Sequence, residues 1–149
     1  MAIEYDLTVA GSTPINQMAE RALPDLAERP TGMPPLLSRD LDDQYGFGVT
    51  VLGGTKGYID ALSDGGSWTW EPADYTSVGF RLDKSADRKW AVINMLTVVR
   101  RVLNTGGEDA AFVLNGDVLL FTRFGGELVK HNRDKWWTNY READDLIPG

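Results

Sequence analysis

Apolar and polar side chains alternate almost from the start of the chain. Ile3, Tyr5, Leu7 and Val9 fall on one face and Glu4, Asp6 and Thr8 on the other, which predicts a half-buried strand. Thr13-Pro14 predicts a capped helix start with proline at the first helical position. Ile15, Met18, Ala19, Ala22 and Leu23 follow at helical spacing, and Pro24 ends or kinks the run. Gly46–Leu52 and Tyr75–Leu82 predict two more strands, the latter placing Val78, Phe80 and Leu82 on one face. Between them, Gly53–Gly57 predicts a turn, Tyr58–Ser63 a short helical turn, and residues 64–74 a loop with some strand character around Trp68–Trp70.

The clearest helix is Asp87–Asn104. Val92, Met95, Leu96, Val99, Val102 and Leu103 form one continuous stripe, with Asp87 placed to cap the start and Gly106-Gly107 to end it. Trp90 falls on the opposite face with Asn94, Thr97 and Arg101. Asn115-Gly116 and Gly125-Gly126 are tight-turn signals, since such turns need positive φ. They divide a meander of strands near 110–114, 118–124 and 127–131, of which Val118–Phe121, apolar on both faces, is expected to be the most buried. The order β-α-β-β-α-β-β-β predicts an α+β fold: a mostly antiparallel sheet with two helices packed on one face.

A chain of 149 residues predicts one domain spanning 1–149, with an acidic and partly mobile tail at 139–149. Residues 30–43 hold three of the seven prolines and three aspartates, and are expected to be a loop. The chain has no cysteine, so thiolate chemistry and cysteine zinc sites are excluded. The N-terminus has no signal-peptide pattern, and no run approaches the roughly 18–20 apolar residues of a membrane span. A cytoplasmic location is the default expectation.

The net charge of −7 is unevenly spread. Residues 1–74 carry four basic and twelve acidic side chains, and residues 75–149 eleven and ten. The acidic half argues against nucleic acid as partner, because phosphate neutralisation needs clustered cations. It suits a basic protein partner.

Candidate chemistry is thin. His131, in HNRDKWW, is the only histidine, and no serine sits in a nucleophile-elbow turn. His131 is therefore expected to be a strand-end residue, with Trp136 and Trp137 as packing anchors. Gly53–Gly57 lacks the phosphate-loop spacing. No catalytic residue, metal site or cofactor is expected. The candidate contact surface is acidic and aromatic: Asp40, Asp42 and Asp43; then Asp60, Asp64, Glu71 and Asp74 around Trp68 and Trp70; and, as a lesser candidate, Trp90. The same carboxylates leave open a small hydrolase or a ligand-binding domain. An exposed strand edge leaves open a homodimer.

YTSVGFRLDK (75–84), the helix after it, and AFVLNGDVLLFTRFGGELVKHNRDKWW (111–137) resemble the SitI-type immunity family of bacterial polymorphic-toxin systems. EYDLTVAG (4–11) resembles that family's opening strand. Residues 24–74 carry no part of the resemblance. It implies an antitoxin: a small cytoplasmic protein that binds a cognate toxin domain, encoded by the adjacent gene, and occludes it without catalysis. No functional residue is carried over beyond these scaffold positions.

Overall fold

The structure is a computed structural model and describes residues 2–149. In chain order it comprises β1 (Glu4–Ala10), α1 (Ile15–Ala22), β2 (Thr31–Met33), β3 (Leu36–Leu41), α2 (Asp42–Tyr45), β4 (Phe47–Thr55), β5 (Ile59–Ser63), β6 (Gly66–Trp70), β7 (Asp74–Leu82), α3 (Arg88–Asn104), β8 (Ala110–Leu114), β9 (Val118–Phe124), β10 (Glu127–Lys130) and α4 (Arg141–Leu146). A 3-10 turn at Trp137–Asn139 precedes α4.

The ten strands form one sheet in the order β2-β3-β4-β7-β1-β8-β9-β5-β6, with β10 also on β9. The predicted fold of two helices on a mostly antiparallel sheet is therefore corrected. The sheet is mixed, because β5 meets β9 in parallel at Leu62 and Val118, and there are four helices. The architecture stays α+β-like.

Three segments account for the difference, one of them the C-terminal stretch that holds α4. Residues 30–43 are not a loop: β2 and β3 form a hairpin with Pro34-Pro35 in the turn, and α2 follows. Leu37 and Leu41 are buried in the core, whereas Leu36, Ser38 and Asp40 are exposed. Tyr58–Ser63 is not a helical turn: β5 pairs with β6 through the two-residue turn Asp64-Gly65. Aspartate-glycine between alternating residues is itself a hairpin signal. β4 runs on through Gly53 and Gly54 to Thr55, into the predicted Gly53–Gly57 turn, because its pairing with β7 continues to Asp74. The other strands and the long helix lie within a residue or two of their predicted limits.

The front face of the sheet carries the main core. Tyr5, Leu7 and Val9 of β1 pack with Phe47, Val49 and Val51 of β4 and Val78, Phe80 and Leu82 of β7, against the buried stripe of α3. All six predicted stripe residues of α3 are buried. Asp87 makes no side-chain cap, and the far end of α3 is closed by cations from other elements. Arg123 donates to Leu103 O at 2.7 Å and Arg21 to Val102 O at 2.8 Å, where the helix dipole favours positive charge. Thr13 likewise does not cap α1.

The end of the chain is structured. Trp136 and Trp137 are buried; the first donates its indole N–H to Tyr5 Oη at 3.1 Å and the second to Leu120 O at 2.9 Å. Burial pushes the Tyr5 phenol up to about 12. Beyond them α4 buries Ala143, Ile147 is buried next to it, and Asp144 pairs with Lys130. β8 and β9 are both largely buried. β8, buried at every position but Leu114, has the larger buried share, rather than β9, which was expected to be the most buried. Asn115 and Gly116 both take positive φ, at 52° and 73°, as their turn requires.

Candidate functional site

Strand alternation assigns the polar residues to the back of the sheet, and there the two halves diverge. Behind β8 and β9 lie Ala111, Val113 and Leu119, and the β5–β6 hairpin folds over them. Ala61 and Ile59 of β5 and the half-buried Trp68 and Trp70 of β6 complete this second core. Phe124 meets Trp70 edge-on, with ring centroids 5.2 Å apart.

HNRDKWW supplies the hairpin's latch. Asn132 adopts φ 56° and donates its side-chain amide to Leu62 O at 3.0 Å and Leu119 O at 2.8 Å, joining β5 to β9 where the ladder has one bridge. The Asn132 backbone N–H donates to Asp64 Oδ1 at 2.8 Å, and the Asp64 N–H donates to His131 Nδ1 at 3.2 Å. His131 thus faces a turn of its own chain.

The other half of the back face is open. The pairings of β3, β4, β7 and β1 set three rows of side chains across it. Asp40, Gly48, Arg81 and Glu4 form the first; Ser38, Thr50, Gly79 and Asp6 the second; Leu36, Leu52, Ser77 and Thr8 the third. A depression of about 440 Å³ spans the first two rows. A second, of about 260 Å³, lies between the third row and the hairpin, lined among others by Asp6, Leu52, Tyr58, Asp60 and Tyr75. Gly79 leaves room for its neighbours: a β-carbon there would stand 2.7 Å from Thr50 Oγ1 and 2.9 Å from Asp6 Oδ1.

The predicted acidic residues separate into four places. Asp40, Asp42 and Asp43 gather at the end of β3 and the start of α2, with Asp83 near Asp42. Burial first, and then the charges of Asp40 and Asp83, raise the Asp42 carboxyl. Asp60 lines the second depression. Asp64 is held in the latch, while Glu71 and Asp74 are exposed just after the hairpin. Trp68 and Trp70 turn their rings onto the sheet. Trp90 is 40% exposed and lies over Gly46. Among the described residues, no group of three acidic or histidine side chains is placed to hold a metal ion.

Sequence reasoning passed over Glu4, Asp6, Arg81, Leu36 and Leu52. For Glu4 and Asp6 the signal was present in the polar face of β1, which the alternation had already separated. Asp6 opens to solvent above but is crowded by the sheet on its other sides; this burial, with Glu4 beside it, raises its carboxyl. No carboxylate lies within ion-pair distance of Arg81 among the described residues. The arrangement offers accessible charge and relief, the properties of a binding surface. No described helix is long and apolar enough to cross a membrane.

No curated protein and no solved structure matches the chain. A family model does match, over residues 3–141, and it includes residues 24–74, which carried no resemblance of their own. That span holds every strand and α1 to α3, so the chain belongs to the SitI3-like family.

Proposed function

We propose that this protein is an immunity protein that binds a cognate toxin domain in the cytoplasm and blocks it by occlusion, without chemistry of its own. Membership of the SitI3-like family is the observation that carries this reading. The acidic surface supports it. Asp40, Asp42 and Asp43 project beside the open back face, and Asp60 stands at its hairpin wall. Such a field speeds encounter with a basic partner and raises the cost of wrong ones. Trp68 and Trp70 contribute by carrying the hairpin that walls the surface, and Asp64 by holding its turn.

The test is co-purification with the C-terminal domain of the toxin encoded beside this gene, followed by calorimetry. The expected result is a 1:1 complex of nanomolar affinity that weakens with salt. Lysine at positions 40, 42 and 43 together is expected to slow association about tenfold or more at low salt. A wild-type chain that does not bind would remove the reading. Hydrolytic activity of the isolated protein that is lost in Asp60→Asn and in Asp6→Asn, each alone, would favour a carboxylate-hydrolase alternative, which rests on these two lining one depression.

A further inference from the structure

A solvent-facing row of a sheet is expected to be polar, and the third row of the back face is not. Leu36 and Leu52 are direct cross-strand partners and stand 47% and 39% exposed. Tyr58, 63% exposed, lines the same depression as Leu52. On the other half of this face, the equivalent apolar residues are covered by the tryptophan hairpin. Here no hairpin of the described residues closes over them. An exposed apolar strip rimmed by charge is the pattern of a protein interaction centre, in which desolvated apolar anchors dominate and charges set partner and rate.

The rim is mainly acidic. Glu4, Asp6, Asp40 and Asp60 line the two depressions, and the guanidiniums of Arg39 and Arg81 are confined to the first. The second depression, the one that touches Leu52 and Tyr58, is lined by Asp6 and Asp60 and by no Lys or Arg.

We propose that the Leu36–Leu52–Tyr58 strip is the energetic centre of the toxin interface, receiving an apolar side chain of the toxin that is flanked by basic ones directed at Asp6 and Asp60. This rests on the immunity reading above and names the surface that performs it. It moves the centre away from Trp68 and Trp70, whose rings serve the hairpin. The crowding that raises the Asp6 carboxyl is consistent with a group that gains when a cation arrives.

The probe is the catalytically inactivated toxin domain of the neighbouring gene, titrated by calorimetry into the full-length wild-type chain, Leu36→Ser/Leu52→Ser, Asp6→Asn/Asp60→Asn, and the control Glu142→Gln on α4. Unchanged melting and circular dichroism would show that each variant is folded. The leucine variant is expected to weaken binding by at least about 30-fold, as loss of a hot spot does. The carboxylate variant is expected to lose affinity and flatten the salt dependence, and the control to match wild type. Should Tyr58→Ser prove easier to fold than the leucine pair, it carries the same expectation. Wild-type binding with full affinity retained by the strip variants would overturn this inference and leave the immunity reading standing. No binding by wild type would overturn both.

Discussion

The two halves of the back face share one sheet and one alternation, yet one is a core and the other a surface. Behind β8 and β9 the outward positions are Ala111, Val113 and Leu119, and a hairpin with two tryptophans closes on them. Behind β3, β4 and β7 the positions are mostly glycine, serine, threonine and charge, broken by Leu36, Leu52 and Tyr75. The comparison teaches that a sheet's outer face is not one environment. Where its residues are small and apolar the chain supplies its own cover. Where they are polar with a short apolar strip, the cover has to come from elsewhere.

The largest test of that contrast is Trp70→Ala against Leu52→Ala. The first removes a half-buried ring from the second core and is expected to cost about 2–3 kcal/mol, toward the low end of tryptophan truncations. The second removes an exposed side chain and should stay within about 0.5 kcal/mol. Urea unfolding of both settles it; equal costs would erase the distinction between the halves.

The latch comes next. Asn132→Ala leaves the Leu62 and Leu119 carbonyl oxygens without their amide donor and puts alanine at positive φ, so about 2 kcal/mol is expected. Hydrogen exchange should show β5 and β6 opening before the rest of the sheet; uniform opening would mean that the hairpin does not act as a separate unit.

Two carboxylates sharpen the comparison through pH. Glu108 accepts hydrogen bonds from Arg21 at 2.6 and 3.0 Å, and this guanidinium holds its carboxyl below the ordinary 4.5. Its stabilisation is present above 4.5 and is lost as pH falls through the lowered folded value. Glu108→Gln should therefore cost about 1–2 kcal/mol at pH 7 and progressively less in acid. Asp6 on the open face is displaced the other way. Its folded carboxyl titrates above the ordinary 3.8, so the native state binds the proton more tightly and stability falls as pH rises through that interval. Asp6→Asn should be slightly stabilising at pH 7 and neutral below 3.8. The smallest effect is expected from Asp60→Asn, whose loss should leave melting unchanged, since the carboxylate is exposed and makes no ion pair among the described residues.

The half of the chain that builds the scaffold was legible because its periods are long and its turns are marked. Seventeen residues of α3 keep one stripe, and Asn115-Gly116 and Gly125-Gly126 punctuate the strands. Residues 30–70 were less legible for a physical reason. β2, β5 and β6 span three to five residues, too few for periodicity to outweigh the prolines, glycines and aspartates around them. The acidic residues of the candidate surface were visible as composition. Their separation into a β3-end group, a hairpin wall and a latch was not, because Asp64 meets Asn132 only through a contact 68 residues away in sequence. Asp6 was hidden by being one polar residue in a regular strand, where nothing local marks it as crowded.

The placement of β1 has a consequence in time. It is hydrogen-bonded between β7 and β8, so that Tyr5 pairs with both Phe80 and Leu114. A ribosome adding 5–20 residues per second needs roughly 5–20 s to pass from one end of that pairing to the other. Through that interval β1 has an apolar face and a free edge with no permanent neighbour on its β8 side. The sheet cannot close around β1 until β8 has emerged, so its centre is completed late and by a contact distant in sequence.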